Sequence, residues 1–194
     1  MRRPTKQDRP TAELILDAAT PLLYRRGIGA VTLDEIAAAA NVTKRTLYYH
    51  FPTKDDLVLA YLQRWYERTK EDLGHGGDHG RDSVLGAFQK LEREVARDGF
   101  RGCPFVNAVA EINDRAHPAT ALAVAYKETR RAWFERQLRH AGLASAAKLS
   151  EQVMTLWEGA MVRALITGSP KAVGEAHDAV SALFASASGT ADKR

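Results

Sequence analysis

Residues 31 to 57 constrain the fold more than any other stretch, because two helix starts, one tight turn and one helix stop fall there in fixed order. Thr32 is a good N-cap, and Glu35 three residues later completes a capping box. Leu33, Ile36, Ala37 and Ala40 then repeat at helical spacing, giving one narrow apolar face on which small alanines permit close helix approach. Asn41 follows. Apart from glycine, asparagine best tolerates the left-handed conformation that ends a helix in a tight turn. Val42 plugs the corner, Thr43 caps a second helix, and Pro52 stops it at Phe51. Thr53 then caps a third helix that opens with Lys54.

On the second helix Leu47 and Phe51 lie four apart and face inward, which leaves Lys44, Arg45, Thr46, Tyr48, Tyr49 and His50 for the outer surface. No acid occurs between Glu35 and Asp55. Three consecutive large side chains with polar tips cannot all turn inward from one helix. The pattern is that of a helix-turn-helix for double-stranded DNA, with residues 43–50 as the helix that enters the groove. Arg45 has the fork that fits guanine O6 and N7, and Thr46 suits a base edge or thymine methyl. Thr32, Thr43, Lys44, Tyr48, Tyr49, His50 and Lys54 suit the phosphate backbone. The free N–H groups at the start of the third helix assist Lys54.

The stretch Ala37 to Leu57, with Leu47-Tyr48-Tyr49-His50-Phe51, Thr53-Lys54 and Leu57, resembles the DNA-binding domain of the TetR family of bacterial transcriptional regulators. The resemblance extends upstream through Ile15, Ala18, Ala19, Leu22, Gly27 and Thr32. Leu23, Ile28 and Asn41 depart from the residues common there, each conservatively. The resemblance implies a repressor that binds a palindromic operator as a homodimer and is released by a small molecule. It also implies an effector pocket among the middle helices and a dimer interface on the last two.

Beyond Leu57 the periodicity is helical throughout, and the chain is all-α with about nine helices. A long helix runs from Lys54 to about Leu73, and the glycine-rich Gly74–Gly80 segment breaks it. Further helices begin near Asp82, at Pro104, at Pro118, after a Ser145 cap and at Ser169-Pro170. The expected organisation is a flexible basic arm at 1–8, a DNA-binding domain at 9–69, and an effector-binding and dimerisation domain at 70–194. The arm's Arg2, Arg3 and Lys6, with Arg9 beside it, suit either a minor groove or open solvent. The last two helices are rich in alanine on their apolar faces, as close packing against a second copy requires.

Candidate effector contacts are Trp65, Phe88, Phe105, Asn107, Tyr126, Trp133, Trp157, Glu158 and Met161, although aromatic residues at helical spacing are more often core than pocket. Asn107 and Glu111 share a face of the helix that starts at Pro104. Cys103 sits just before that helix, where its N-terminus and nearby Arg101 favour thiolate. It is a candidate sensor of oxidants or electrophiles, with a packed small hydrophobe as the alternative.

The net charge of +4 is shared evenly, with nine basic and seven acidic residues up to Leu57, so only local placement supports nucleic-acid binding. One cysteine forms no internal disulfide, and neither a signal segment nor a membrane-spanning run is present, so a cytoplasmic location is expected. Catalysis by Cys103 with His117 or His140 finds no supporting motif. His75, Asp78 and His79 lie among glycines that suit a solvated loop, so no metal and no cofactor are expected.

Overall fold

The computed structural model describes residues 10–75, 77, 79–143 and 145–189; the arm at 1–8, Arg9 and Asp78 lie outside them. Among the described residues the chain forms nine helices and no strand. These are α1 (Thr11–Arg26), α2 (Leu33–Ala40), α3 (Lys44–His50), α4 (Lys54–His75), α5 (Arg81–Val95), α6 (Pro104–Ile112), α7 (Pro118–His140), α8 (Ala146–Thr167) and α9 (Lys171–Gly189). Most boundaries fall where caps and prolines place them. The start of α8 differs in detail: Ser145 occupies the cap position, but its hydroxyl makes no capping bond. Only its carbonyl serves the helix, accepting from the Leu149 N–H at 2.9 Å.

Packing divides the chain into two compact units, neither of them continuous in sequence. Of the described residues, the first unit comprises those up to Glu67 together with Pro104–Ala123; the second comprises those of Arg68–Cys103 and those from Val124 onward. The reason α6 joins the first unit is visible in its polar contacts. The Glu111 carboxylate accepts the Gly29 N–H at 2.8 Å across 82 positions of sequence. His117, just before α7, lies 3.6 Å from the Asp55 carboxylate at the start of α4.

In the first unit Ile15, Ala19, Val31, Ile36, Leu47, Leu57 and Leu62 are buried. Leu47 is fully enclosed, which anchors α3 by its inner face. Arg64 of α4 pairs with Asp17 of α1. The second unit is built around Phe88, Leu91, Phe134, Leu138, Val153, Trp157, Val173 and Val180. Gln137 is fully buried there and accepts the Gly80 N–H at 3.2 Å, so the otherwise unpaired start of α5 is satisfied from α7.

Candidate nucleic-acid interface

The turn before α3 is made as its sequence requires. Thr32 and Glu35 form a reciprocal capping box, with Thr32 N–H donating to Glu35 at 2.8 Å and Glu35 N–H to Thr32 Oγ1 at 3.2 Å. The Thr32 backbone bond chiefly, then Arg26 and the Thr32 hydroxyl, lower the Glu35 pKa from 4.5 to about 2. Asn41 is left-handed at φ 57°, ψ 45°, and Asn41 and Val42 return their N–H groups to Ala38 and Ala37. The chain therefore leaves α2 sharply. Thr43 receives the Thr46 N–H at 3.1 Å, and the two hydroxyls lie 2.8 Å apart.

This local geometry turns the polar side of α3 outward. Tyr49 is 81% exposed and Tyr48 48%, while Leu47 beside them is buried. Thr43, Lys44 and Arg45 are exposed, and His50 is half-buried with its ring 5.1 Å from that of Tyr49. Arg45 and Lys54 make no ion pair among the described residues. Lys44 differs, because Asp34 of α2 approaches its ammonium to 2.5 Å. That partner was not evident from the acid-free span between Glu35 and Asp55. The pair is solvent-exposed on both sides, so phosphate can compete for the lysine. Thr32 is exposed, but its hydroxyl donates to Glu35 at 3.0 Å, so capping already occupies that proton. At the start of α4, Asp56 makes a similar reciprocal cap with Thr53 and leaves Lys54 half-exposed.

The nine candidate effector contacts are not gathered in one unit. Trp65, Phe105 and Asn107 belong to the first, with Trp65 against Tyr24 at 5.7 Å between ring centroids. The other six belong to the second unit. Phe88 and Trp157 meet edge-to-face at 5.1 Å and, with Phe134, form an aromatic core. Trp133 joins that core through Phe134, and Met161 packs against it. Phe134 escaped sequence reasoning because nothing distinguishes it from any other apolar helix residue.

Tyr126 and Glu158 have polar surroundings. The Lys127 ammonium lies 2.6 Å from Glu158 and 3.4 Å from the Cys103 sulfur. Burial alone lowers the Lys127 pKa, but Cys103 and Glu158 together outweigh it and hold the lysine charged above its ordinary value. Cys103 itself is only 5% exposed. Lys127 and Arg130 were missed because charged residues on a long helix normally read as its solvated face.

His117 accepts the Ala119 N–H on Nδ1 at 3.1 Å, which makes it a helix cap. No helix among the described residues is long and apolar enough to cross a membrane.

Comparison with known proteins agrees with this geometry. Residues 15–61 match the family model for bacterial regulatory proteins of the tetR family, and residues 80–180 match the tetracyclin repressor-like C-terminal domain. The chain is 35% identical over 97 residues to the transcriptional regulator TtgR of Pseudomonas putida, covering 49% of this chain and 45% of that protein. It is 30% identical over 119 residues to the repressor NemR of Escherichia coli, covering 59% of each. The matched region thus spans about half the length of these curated relatives. The crystal structure of a TetR-family regulator from Streptomyces coelicolor superposes with a TM-score of 0.84 at 30% identity, covering 92% of this chain and 96% of that one. Reduced NemR from Escherichia coli, at 23% identity and TM-score 0.76 over 88% and 95% of the chains, shares the fold. With its DNA-binding helix-turn-helix and its helical C-terminal domain both matched, the chain belongs to the TetR family of transcriptional regulators.

Proposed function

We propose that this protein is a cytoplasmic repressor that binds a palindromic operator as a homodimer and is released by a small-molecule effector. The observation that carries the reading is the division of α3: Leu47 is sealed in the core while Arg45, Tyr48 and Tyr49 stand outside. Arg45 reads a base and Thr46 meets a base edge or thymine methyl; Thr43, Lys44, Tyr48, Tyr49, His50 and Lys54 hold phosphates, while Thr32, its donors taken by Glu35, serves as the cap of α2. Sequence organisation assigns residues 9–69 to DNA binding and 70–194 to effector binding and dimerisation, with α6 packed in the first unit.

Dimerisation is supported by the surface of α8 and α9. Thr155, Leu156, Ala179, Ala182 and Leu183 line an open, mostly apolar groove there. Val162 and Ile166 extend apolar exposure along α8, with Ile166 77% exposed. A two-fold pair would present two α3 helices to successive major grooves. The functional test is a gel shift on DNA upstream of the protein's own gene, repeated across salt concentrations and with a metabolite library. A discrete complex that persists as non-specific binding fades, and that one metabolite dissolves, is the expected result. Binding that falls uniformly on all DNA and answers to no metabolite would refute the proposal.

A thiol-sensing role for Cys103 has one favourable observation, the Lys127 ammonium 3.4 Å from its sulfur. Its near-complete burial favours the packing role. Cys103→Ser settles the choice: a sensor loses oxidant- or electrophile-triggered operator release, and a packed thiol leaves release unchanged.

A further inference from the structure

Within the second unit, one helix face carries more positive charge than its surroundings neutralise. Lys127, Arg130 and Trp133 follow one another along α7 at three-residue intervals, and Tyr126 lies four residues before Arg130. Lys127 consumes the Glu158 carboxylate at 2.6 Å. Arg130 has no ion pair among the described residues. Its guanidinium lies 4.7 Å from the Trp157 ring centroid and 5.8 Å from that of Tyr126. Its Nη2 reaches only the Tyr126 hydroxyl, at a long 3.4 Å, and its Nε is buried without an acceptor. One turn further, Trp133 is 6% exposed and its Nε1 also lacks an acceptor.

These donors need an explanation. Leaving a buried donor unsatisfied is destabilising, and native proteins hold few such groups. Stacking on Trp157 and Tyr126 offsets part of the guanidinium's desolvation but supplies no acceptor. Two orphaned donors and one uncompensated cation therefore lie beside aromatic rings. A cationic ligand would meet like charge there, and a neutral apolar one would leave both donors unpaired. A carboxylate would satisfy the guanidinium: its planar oxygens match the Nε–Nη2 edge, displacing only the weak Tyr126 bond.

We propose that Arg130, with Trp133 and the aromatic rings of Trp157 and Tyr126, forms a receptor for an organic carboxylate with an apolar body. This rests on the effector-regulated reading above and supplies the chemical class of the effector. The Lys127 ammonium lies 5.6 Å from the Tyr126 ring centroid, and the Cys103 sulfur lies 3.4 Å from that ammonium.

The test is titration of the full-length protein, followed by tryptophan fluorescence and calorimetry. The probes are benzoate and octanoate as carboxylates, phenyl phosphate as an alternative anion, and benzamide and benzylamine as neutral and cationic controls. The carboxylates should bind saturably and at least about tenfold more tightly than benzamide or benzylamine, a difference of about 1.4 kcal/mol. Arg130→Lys, which keeps the charge and loses the fork, should weaken carboxylates about tenfold while leaving ligand-free operator binding unchanged.

Carboxylates that bind no better than the amide, tighter binding of phenyl phosphate than of both acids, or equal affinity in Arg130→Lys would each overturn the proposal. Should that variant fail to fold, the comparison of acid with amide on the unaltered protein still decides. A protein that holds its operator in salt yet ignores every acid refutes only the carboxylate assignment. Absence of any sequence-specific DNA binding refutes the regulatory reading instead.

Discussion

Replacing Gly27 with alanine should destabilise this protein by an amount that its surroundings define. Gly27 ends α1 at φ 90°, ψ 160°, a region open essentially to glycine alone. Forcing another residue into it costs about 1–3 kcal/mol. A Cβ placed there would also lie 2.9 Å from Glu111 Oε1 and 3.0 Å from Oε2. The carboxylate would have to swing away and release the Gly29 N–H it holds at 2.8 Å. Losing that bond adds about 0.5–1.5 kcal/mol. Together the substitution should cost about 1.5–4.5 kcal/mol, and for a chain of 194 residues each kcal/mol lowers Tm by about 2–4 °C.

The two contributions can be separated. Glu111→Ala alone should show only the smaller loss, because it removes the acceptor without touching the backbone of Gly27. In that background Gly27→Ala should still cost about 1–3 kcal/mol, so the double variant should be more stable than the summed singles predict. The assay is thermal and urea unfolding followed by far-ultraviolet circular dichroism. Gly27→Ala that melts with the parent protein, or singles that add without coupling, would refute the reasoning about this turn.

Other substitutions probe the remaining surfaces. Arg45→Ala should cost about 1–3 kcal/mol of operator affinity and relax preference at one position, whereas Lys54→Ala should weaken all sequences alike and flatten the salt dependence, as measured by gel shift. Glu35 has a folded-state pKa lowered to about 2, so its contribution to stability is present above the ordinary 4.5 and is lost as pH falls from there through 2. Acid titration of Glu35→Gln should therefore show a shallower loss of stability over that interval. Ala182→Glu, which puts a charge in the α8–α9 groove, should yield a monomer by analytical ultracentrifugation and abolish tight operator binding.

The helix-turn-helix was legible because its determinants are local. Thr32 with Glu35, Asn41, Thr43 and Pro52 each act within a few residues, and the structure has their caps and turn where those residues place them. The orientation of α3 followed from spacing alone, since Leu47 had to be buried if Tyr48 and Tyr49 were not. The placement of α6 was not legible. Its bond from Glu111 to Gly29 joins residues 82 positions apart, and Glu111 at helical spacing from Asn107 suggested an effector contact equally well. The partial burial of Arg130 and Lys127 was hidden for a related reason. Long charged side chains cover apolar surface with their stems, so a helix such as α7 does not declare which of its charges faces the interior. Asp34 beside Lys44 shows the same limit on a smaller scale, because the acid comes from the preceding helix.

Operator recognition depends on α3 reading a specific sequence in duplex DNA. Selection of bound duplexes from a random pool, performed in parallel with the parent protein and Arg45→Ala, tests this most directly. The parent should enrich a two-fold symmetric site, and the variant should retain its half-site spacing while losing preference at one symmetric pair of positions. A pool that emerges without any common sequence, or the same sequence with the same preferences from both proteins, would contradict it.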